Sequence, residues 1–375
     1  MDLTAEQRAV RDVVREFARE EIRPTAREAD ADQSFPEEVW DGLADLDLTG
    51  LTVPTEYGGY DADRVTYSVV NEEVAYGSLA VATALSVHGL ATSCIAEFGD
   101  EHQKERWLSE MVDGRPVGAF ALSEPEAGSN PAEMSTVARR DGDEYVIDGE
   151  KLWITNGGRS GVVILFAKTD PDDPGSITQF VVPKDTDGLE VGKKEDKLGL
   201  RASDTTAMLF DGARIPAANR LTEVGEGLSA AFHILTGGRI GIASQAVGLA
   251  QSALDEAVEY AGDREQFGEP IAEIQTIRHK LAEMETRTQA ARLLAREAAR
   301  RDDAGEPTEK FASMAKYFAS EAATFVTNEA VQIHGGYGYV TDYDVERLYR
   351  DAKVTEIYEG TTEIQKTIVA RQLLD

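Results

Sequence analysis

The fold class of this chain is decided by the stretch Val162-Val-Ile-Leu-Phe-Ala-Lys-Thr-Asp-Pro-Asp-Asp-Pro-Gly-Ser-Ile-Thr-Gln-Phe-Val-Val182. Its two ends are short runs of β-branched and aromatic residues, which predict strands. Between them, Asp170 to Gly175 is a cluster of turn residues, and Asp141-Gly-Asp-Glu144 is another one upstream. Residues 116–220 are therefore predicted to form a small antiparallel β-domain.

The residues before this region have the pattern of helices. Thr4-Ala-Glu-Gln7 is a capping-box sequence, and Pro36 followed by two glutamates is typical of a helix start. The segment from Thr66 to Phe98 is small, apolar and long enough for one or two buried helices. Residues 1–115 are predicted to form an N-terminal helical domain.

The helical period returns after the β-domain. An apolar stripe with helical spacing is formed by Ile271, Ile274, Ile277, Leu281 and Met284. Glu309 to His334 and Asp342 to Leu374 are further helical stretches, so residues 221–375 are predicted to form a C-terminal four-helix-bundle domain. The expected fold class is α+β, mainly α.

The composition bounds the function. The 375 residues include 38 basic and 69 acidic side chains, which gives a formal net charge of -31 and argues against a nucleic-acid binder. The basic residues are 12 Lys and 26 Arg. Excess carboxylate with scarce Lys is typical of proteins from salt-loving organisms, in which screening reduces self-repulsion. An ordinary acidic protein is the alternative.

Several other sequence features are absent, and their absence narrows the class of protein that is expected. The chain shows neither a run of about 18 apolar residues nor a signal-peptide pattern, so we expect a cytoplasmic protein without a membrane span. Cys94 is the single cysteine, which excludes an intrachain disulfide. The five histidines lack metal-ligand spacing, so no metal is expected.

Five motifs give the chain a family resemblance. They are Leu122-Ser-Glu-Pro-Glu-Ala-Gly-Ser129, Trp153-Ile-Thr-Asn156, Arg264-Glu-Gln-Phe-Gly268, Gln332-Ile-His-Gly-Gly-Tyr-Gly338 and Ile357-Tyr-Glu-Gly-Thr-Thr-Glu-Ile-Gln365. In this order and spacing the chain resembles the acyl-CoA dehydrogenase family over nearly its whole length. The segments Gly237 to Gln245 and Arg350 to Lys353 are most similar to the short-chain, butyryl-CoA type.

The resemblance implies an FAD enzyme that oxidises the Cα–Cβ bond of an acyl-CoA to a trans-2-enoyl-CoA. A carboxylate base removes the α-proton, hydride leaves Cβ for N5 of the flavin, and electrons pass on to electron-transfer flavoprotein. Such enzymes are usually homotetramers with the cofactor shared between subunits. Oligomerisation, most often into a tetramer, is therefore expected here.

Glu359 matches the position of the family's catalytic base. Its backbone N–H is expected to face the thioester oxygen, and Gly360 permits close approach of the ligand. Some relatives place the base on an earlier helix instead, but that position is Gly238 here, which has no side chain. The alternative is that Glu356, Glu359 and Glu363 are solvated surface acids.

The resemblance also assigns residues to FAD, which fits the absence of Gly-x-Gly-x-x-Gly and Walker motifs. The matching positions are Phe120, Leu122, Ser123, Trp153, Ile154, Thr155, Arg264, Phe267, Gln275, Gln332, Gly335, Gly336, Thr361 and Glu363. Taken alone, Trp153 would be a core aromatic, Thr155 a strand hydroxyl and Arg264 a surface charge. The arginine fork suits the pyrophosphate.

Three residues are assigned to the substrate. Ser129 is expected near the phosphopantetheine of CoA, and Gly360 near the thioester. Arg239 is expected to be structural or close to CoA, with a surface salt bridge as the alternative. The loop that contains Leu122 to Ser129 departs from the commoner glycine-rich form at Glu126 and, directly after that motif, at Asn130. These differences leave the details of its CoA contacts open.

Other functions remain as alternatives at this point. The acyl group could be isovaleryl, 2-methyl-branched, glutaryl or a longer chain, with the pocket floor expected around Leu79 to Val87. No arginine lies between Leu79 and Ala96, which disfavours glutaryl-CoA. A non-catalytic paralogue is opposed by Glu359 and by the acidic charge. An acyl-CoA oxidase would share the base and the flavin, although such chains are usually much longer.

Overall fold

The computed structural model describes residues 3–374, and its first layer is helical. The opening helices are α1 (Ala5–Phe17), α2 (Arg23–Ala31) and α3 (Glu37–Asp45), with a π-helical turn between the first two. The predicted capping box is confirmed, because the Thr4 side chain accepts from the Gln7 N–H and the Gln7 side chain accepts from the Thr4 N–H. Pro36 is the N-cap of α3.

The segment predicted to hold one or two buried helices holds two. They are α4 (Arg64–Gly77) and α5 (Leu79–Phe98), followed by α6 (Glu101–Met111). In the described part of the chain, α5 is the one helix long and apolar enough to cross a membrane, with a mean hydropathy of 1.6. Hydroxyl side chains and His88 interrupt its apolar residues, so the sequence shows no continuous apolar run there. Since 78% of that window is buried inside the fold, α5 has the character of a core helix.

The middle of the chain forms one seven-stranded sheet. Its strands are β1 (Gly118–Ala121), β2 (Val137–Asp141), β3 (Glu144–Thr155), β4 (Val162–Lys168), β5 (Ile177–Pro183), β6 (Leu189–Lys194) and β7 (Thr205–Pro216). The predicted strand runs, residues 162–166 and 179–182, lie in β4 and β5. These two strands pair antiparallel, with Val163 opposite Val182.

The sheet differs from the expected antiparallel domain at two pairings. Strand β1 runs parallel to β4, with Gly118 opposite Val162, and β2 meets β4 in parallel at one position. A parallel pair needs a long crossover connection. Here the chain between β1 and β4 includes the β2–β3 hairpin, so β4 returns in the same direction as β1.

The last region is again helical. It contains α7 (Gly227–Asp263), the small hairpin β8 (Glu265–Gln266) and β9 (Glu269–Pro270), α8 (Gln275–Asp303), α9 (Glu309–His334), α10 (Val345–Ala352) and α11 (Thr362–Leu374). Helices α7, α8 and α9 pack on one another, α11 packs on α9, and α4 and α5 lie against α7.

The predicted helical stretch from Asp342 to Leu374 is interrupted between α10 and α11. Glu359 has a φ of 52° and Gly360 a φ of 88°, in a segment that leaves the helix. These values lie in the left-handed region, which a right-handed helix cannot contain. The candidate base therefore lies in a turn between two helices.

One buried side chain joins the sheet to the helices. Asn156, at the end of β3, donates through Nδ2 to the carbonyls of Ala84 on α5 and Gly118 on β1, at 2.9 and 3.1 Å. It is fully buried and has a φ of 63°. The end of the Trp-Ile-Thr-Asn motif thereby fixes β3 against the helical core.

Candidate active site

The turn that carries Glu359 is held from two sides. Gln365 on α11 donates through Nε2 to the carbonyls of Glu359 and Gly360, each at 3.0 Å. Lys316 on α9 donates through Nζ to the Gly360 carbonyl at 2.8 Å. Both side chains are buried, so the left-handed backbone of this turn is fixed by interior hydrogen bonds.

The Glu359 side chain points inward, although the residue as a whole is partly exposed. Its Oε2 lies against the backbone of Gly238 on α7, where an added Cβ would overlap that oxygen. Oε2 is buried and has no hydrogen-bond partner among residues 3–374. The absence of a side chain at Gly238 thus leaves the space that the Glu359 carboxylate occupies.

This environment changes the acidity of Glu359. Burial raises the pKa of its carboxyl to about 7, while the charges of Lys316 and Arg239 oppose that rise. A general base is most effective when its pKa lies near the working pH. The carboxyl is therefore suited to exchange a proton near neutral pH, which argues against the alternative of a solvated surface acid.

Arg239 lies inside the protein, so the alternative of a surface salt bridge is wrong. It is 5% exposed on α7, next to Gly238. Within the described chain its Nε and Nη1 are buried without a hydrogen-bond partner. Burial lowers the pKa of its guanidinium, and the charges of Glu309 and Glu359 counteract that effect. An unpaired buried cation beside the carboxylate is suited to receive a negatively charged or polar ligand group.

A cleft of about 260 Å³ reaches Gly238, the residue next to Arg239 on α7. Its walls come from α4, α5 and α7 and include Arg64, Tyr67, Leu90, Ile234 and Gly238. Glu359 itself does not line the cleft, and its carboxylate is connected to it through Gly238, which lines the cleft and also contacts Oε2.

The lining of the cleft comes from a later part of α5 than the expected pocket floor. The segment from Leu79 to Val87 is largely core. It approaches the site through the Thr83 hydroxyl, 3.3 Å from that of Tyr358. A larger cavity of about 570 Å³, rich in arginine, includes neither Glu359 nor Gly238 in its lining.

The β-domain presents a second group of candidate residues. Trp153 is 59% exposed at a φ of 64°, where the pairing of β3 with β7 shifts register, so the alternative of a core aromatic is wrong. The loop before it is tied alongside, because the Leu152 N–H donates to the Ser123 carbonyl at 2.9 Å. Ile154 is buried in the sheet core, which leaves only its backbone to face a ligand.

A buried ion pair that the sequence analysis did not identify supports this loop. Lys151 donates to Glu124 at 2.8 Å and to the Leu122 carbonyl at 3.1 Å, while Glu124 accepts from the Ser135 and Thr136 N–H groups. Against the opposing effect of burial, these partners lower the pKa of Glu124 to about 2. Burial lowers the pKa of the Lys151 ammonium to about 8. The residues predicted to contact flavin therefore lie on a rigid support.

A third group lies at the turn between α7 and α8 and at the end of α9. The group consists of Arg264, Phe267, Gln275, Gln332, Gly335 and Gly336. Phe267 is 95% exposed at a φ of 58°, and Arg264 lies over the Tyr337 ring at 5.8 Å. Thr361 and Glu363 lie separately, beside Glu359 at the start of α11.

The residues present fit a flavin dinucleotide. Ser123, whose carbonyl accepts from Leu152, and Thr155, on the same strand as the exposed Trp153, offer hydroxyls in this region, and hydroxyls and an aromatic face suit a flavin ring. Arg264 offers a planar fork suited to a pyrophosphate. A buried carboxylate with a raised pKa near a cleft, together with groups suited to a flavin, fits a flavin-dependent oxidoreductase.

The comparisons with known proteins agree with this class. The family models described as acyl-CoA dehydrogenase N-terminal, middle and C-terminal domain match residues 4–115, 119–213 and 225–374. An acyl-CoA dehydrogenase from Bacillus subtilis (strain 168) is 47% identical over 376 residues, covering 100% of this chain and 99% of that protein. The chain belongs to the acyl-CoA dehydrogenase family.

Two solved structures are similar over the full length. Butyryl-CoA dehydrogenase from Megasphaera elsdenii has a TM-score of 0.97 at 40% identity and covers 100% of both chains. A structure described as the electron transferring flavoprotein of Acidaminococcus fermentans includes a chain with a TM-score of 0.98 at 38% identity, covering 100% of this chain and 99% of that one. As a member of this family, the protein is an FAD-dependent oxidoreductase that acts on acyl-CoA.

Proposed function

We propose that this protein converts a short-chain acyl-CoA to the trans-2-enoyl-CoA, with Glu359 as the base that removes the α-proton. The observation that carries the proposal is the Glu359 carboxylate, buried against Gly238 with a pKa raised to about 7, while Gly238 also lines a cleft. A base in this position contributes a factor of about 10²–10⁴ to the rate.

The backbone of the same turn stabilises the charge that develops. Within the described chain the Glu359 N–H is not hydrogen-bonded to another backbone group, and we assign it to the thioester oxygen of the substrate. A donor fixed in this way stabilises the enolate more than the ground state. Gly360 leaves room for the thioester, and Ser129 in the exposed loop is assigned to the phosphopantetheine.

The cofactor residues are assigned to the same reaction. FAD, when bound, supplies the acceptor for the hydride that leaves Cβ. Trp153, Thr155 and Ser123 orient the ring system, and Arg264 with Gln332 holds the dinucleotide part. Exposure of Phe267 and of Arg264 in the single chain supports a cofactor shell completed by another copy of the chain.

A short acyl chain is the substrate class that the cleft supports best. We assign the acyl chain to the cleft that Gly238 lines, and its volume of about 260 Å³ suits a short chain better than a long one. The similarity to butyryl-CoA dehydrogenase points to the same size class. The part of α5 that was expected to floor the pocket lacks the arginine that glutaryl-CoA would need.

The test is a panel of acyl-CoA thioesters of increasing length, mixed anaerobically with the FAD-loaded enzyme while flavin absorbance is followed. We expect the fastest bleaching with butyryl-CoA or hexanoyl-CoA. Bleaching that is faster with long-chain, branched or glutaryl thioesters would contradict the substrate assignment. Glu359→Gln should retain FAD and lose turnover by about 10²–10⁴-fold.

Glu356→Gln is the matched control, since Glu356 is bound to Thr324 and Lys353 in the same segment. It should remain near wild type. Near wild-type turnover in Glu359→Gln would remove Glu359 as the base.

Partner, assembly and location are proposed on separate grounds. Electron-transfer flavoprotein is the proposed acceptor, supported by the full-length similarity to a chain in a structure of such a flavoprotein. A homotetramer is proposed because candidate cofactor residues are exposed at the turn between α7 and α8. A cytoplasmic location is proposed from the sequence. Size-exclusion chromatography with light scattering tests the assembly, and reduction of purified electron-transfer flavoprotein tests the acceptor.

A further inference from the structure

We propose that Lys316 is a positioning residue for the reaction, which fixes the Glu359–Gly360 turn from α9 and brings a positive charge to the residue next to the base. This inference rests on the proposed role of Glu359 as the base. The sequence pattern alone assigns Lys316 no function, because a lysine on an amphipathic helix is ordinarily solvated.

The position of Lys316 is unusual for its residue type. It lies in the middle of α9 on the face that carries Ala312, Ala319 and Ala323, all buried in the core. Its side chain is fully buried, and its ammonium group donates a hydrogen bond to the Gly360 carbonyl at 2.8 Å. A fully buried lysine is rare unless a specific partner compensates for its desolvation.

The hydrogen bond acts on the residue next to the base. Glu359 and Gly360 both have positive φ, and the Gly360 carbonyl accepts from Lys316 on one helix and from Gln365 on another. Because a non-glycine residue in the left-handed region is strained, Glu359 keeps this conformation only while surrounding contacts hold it. Lys316 is one of those contacts, and it reaches the turn from α9.

The charge of Lys316 acts on the carboxylate itself. The polar groups that act on Glu359 come from the elements packed around it: Arg239 from α7, Lys316 from α9, Tyr67 from α4 and Tyr358 from its own segment. Lys316 is also acted on by the charges of Glu356 and Glu363. Lys316 opposes the rise in the Glu359 pKa more strongly than Arg239 does. Burial lowers the pKa of Lys316 itself to about 8, and Glu359 opposes that change.

The sign of the effect follows from these directions. Removal of the ammonium removes an influence that favours the carboxylate, so the pKa of Glu359 rises further. The base must be ionised to accept the α-proton, and activity increases as the pH rises through its pKa. The acidic limb of the kcat/KM profile should therefore move to higher pH in a variant without the charge.

Three substitutions of Lys316, made in the FAD-loaded enzyme, separate charge from hydrogen bonding. Lys316→Met removes both, Lys316→Gln keeps a donor without charge, and Lys316→Arg keeps the charge. We expect the acidic limb to move up by about 1 pH unit in the Met and Gln variants. The Arg variant should stay near the wild-type profile. The Met variant alone should also lose turnover on the high-pH plateau, because the turn has lost a contact.

Lys353→Met is the matched control. Lys353 lies on the exposed side of the same segment and pairs with Glu356 at 2.6 Å, so its removal should leave the profile unshifted. FAD absorbance and the thermal midpoint show that each variant is folded.

An unshifted acidic limb in both folded uncharged variants overturns the proposal, as does an equal shift in the Lys353 variant. If Glu359→Gln loses turnover but the Lys316 variants leave the acidic limb of the kcat/KM profile unchanged, only the inference about Lys316 is refuted. Retained turnover in Glu359→Gln refutes the base assignment on which it rests.

Discussion

Gly238 and Glu359 occupy one space, which can hold a side chain from only one of them. A Cβ at Gly238 would overlap Oε2 of Glu359, so Gly238→Ala should displace the carboxylate and reduce turnover by about 10²-fold or more. Gly262→Ala is the control on the same helix, since a Cβ there meets nothing within 4 Å. Steady-state kinetics with thermal melts should show a large loss of rate for the first variant only. Equal rates for both variants would show that the base does not need this space.

The raised pKa of Glu359 also predicts how stability depends on pH. The unfolded carboxyl ionises near its usual value, whereas the buried one ionises at about 7. The folded state therefore binds more protons between these values, and stability falls as the pH rises through that window. Glu359→Gln removes this dependence. The thermal midpoint of the variant, measured relative to that of the wild type, should therefore increase from pH 5 to pH 8. A constant difference across that range would contradict the burial of the charge.

At the scale of elements, the loop from Leu122 to Ser129, which carries residues assigned to the flavin, depends on the Glu124–Lys151 pair. Both side chains are buried, and removing one leaves the other as an unpaired buried charge, at a cost of about 3–5 kcal/mol. Lys151→Met should lower the thermal midpoint and weaken FAD retention, while Lys151→Met with Glu124→Gln should recover part of the loss. Arg139→Met breaks the exposed pair with Asp148 and should change stability by no more than about 1 kcal/mol. Similar losses in both single variants would reject a special role for the buried pair.

The elements also show what a sequence can predict and why. The capping box at Thr4 and the strand runs were predicted correctly, because cap chemistry and alternation act over a few residues. The parallel pairing of β1 with β4 depends on contacts far apart in sequence, and no local pattern encodes it. The burial of Arg239 and Lys316 was missed for the same reason. The spacing of Lys316 with the alanines of α9 was the one available signal.

At the scale of the whole molecule, two aromatic side chains near the candidate cofactor residues are strongly exposed. Phe267 is 95% and Tyr339 88% exposed, and both belong to the turns that carry the candidate cofactor residues. Large exposed aromatics of this kind mark interaction sites. The proposed tetramer accounts for this exposure and for the cofactor assignments together, since a second copy would cover the aromatics and complete the shell.

The net charge of -31 is a property of the whole molecule, and we propose that it adapts the protein to high salt. Screening shortens the range of charge repulsion from about 10 Å at 0.1 M to about 3 Å at 1 M salt. The thermal midpoint and the activity should therefore both rise with KCl over this range. Sucrose is the control, because it favours the compact state by exclusion without screening charges. Activity that peaks at low salt, or an equal gain in sucrose, would show that repulsion between carboxylates does not limit this fold.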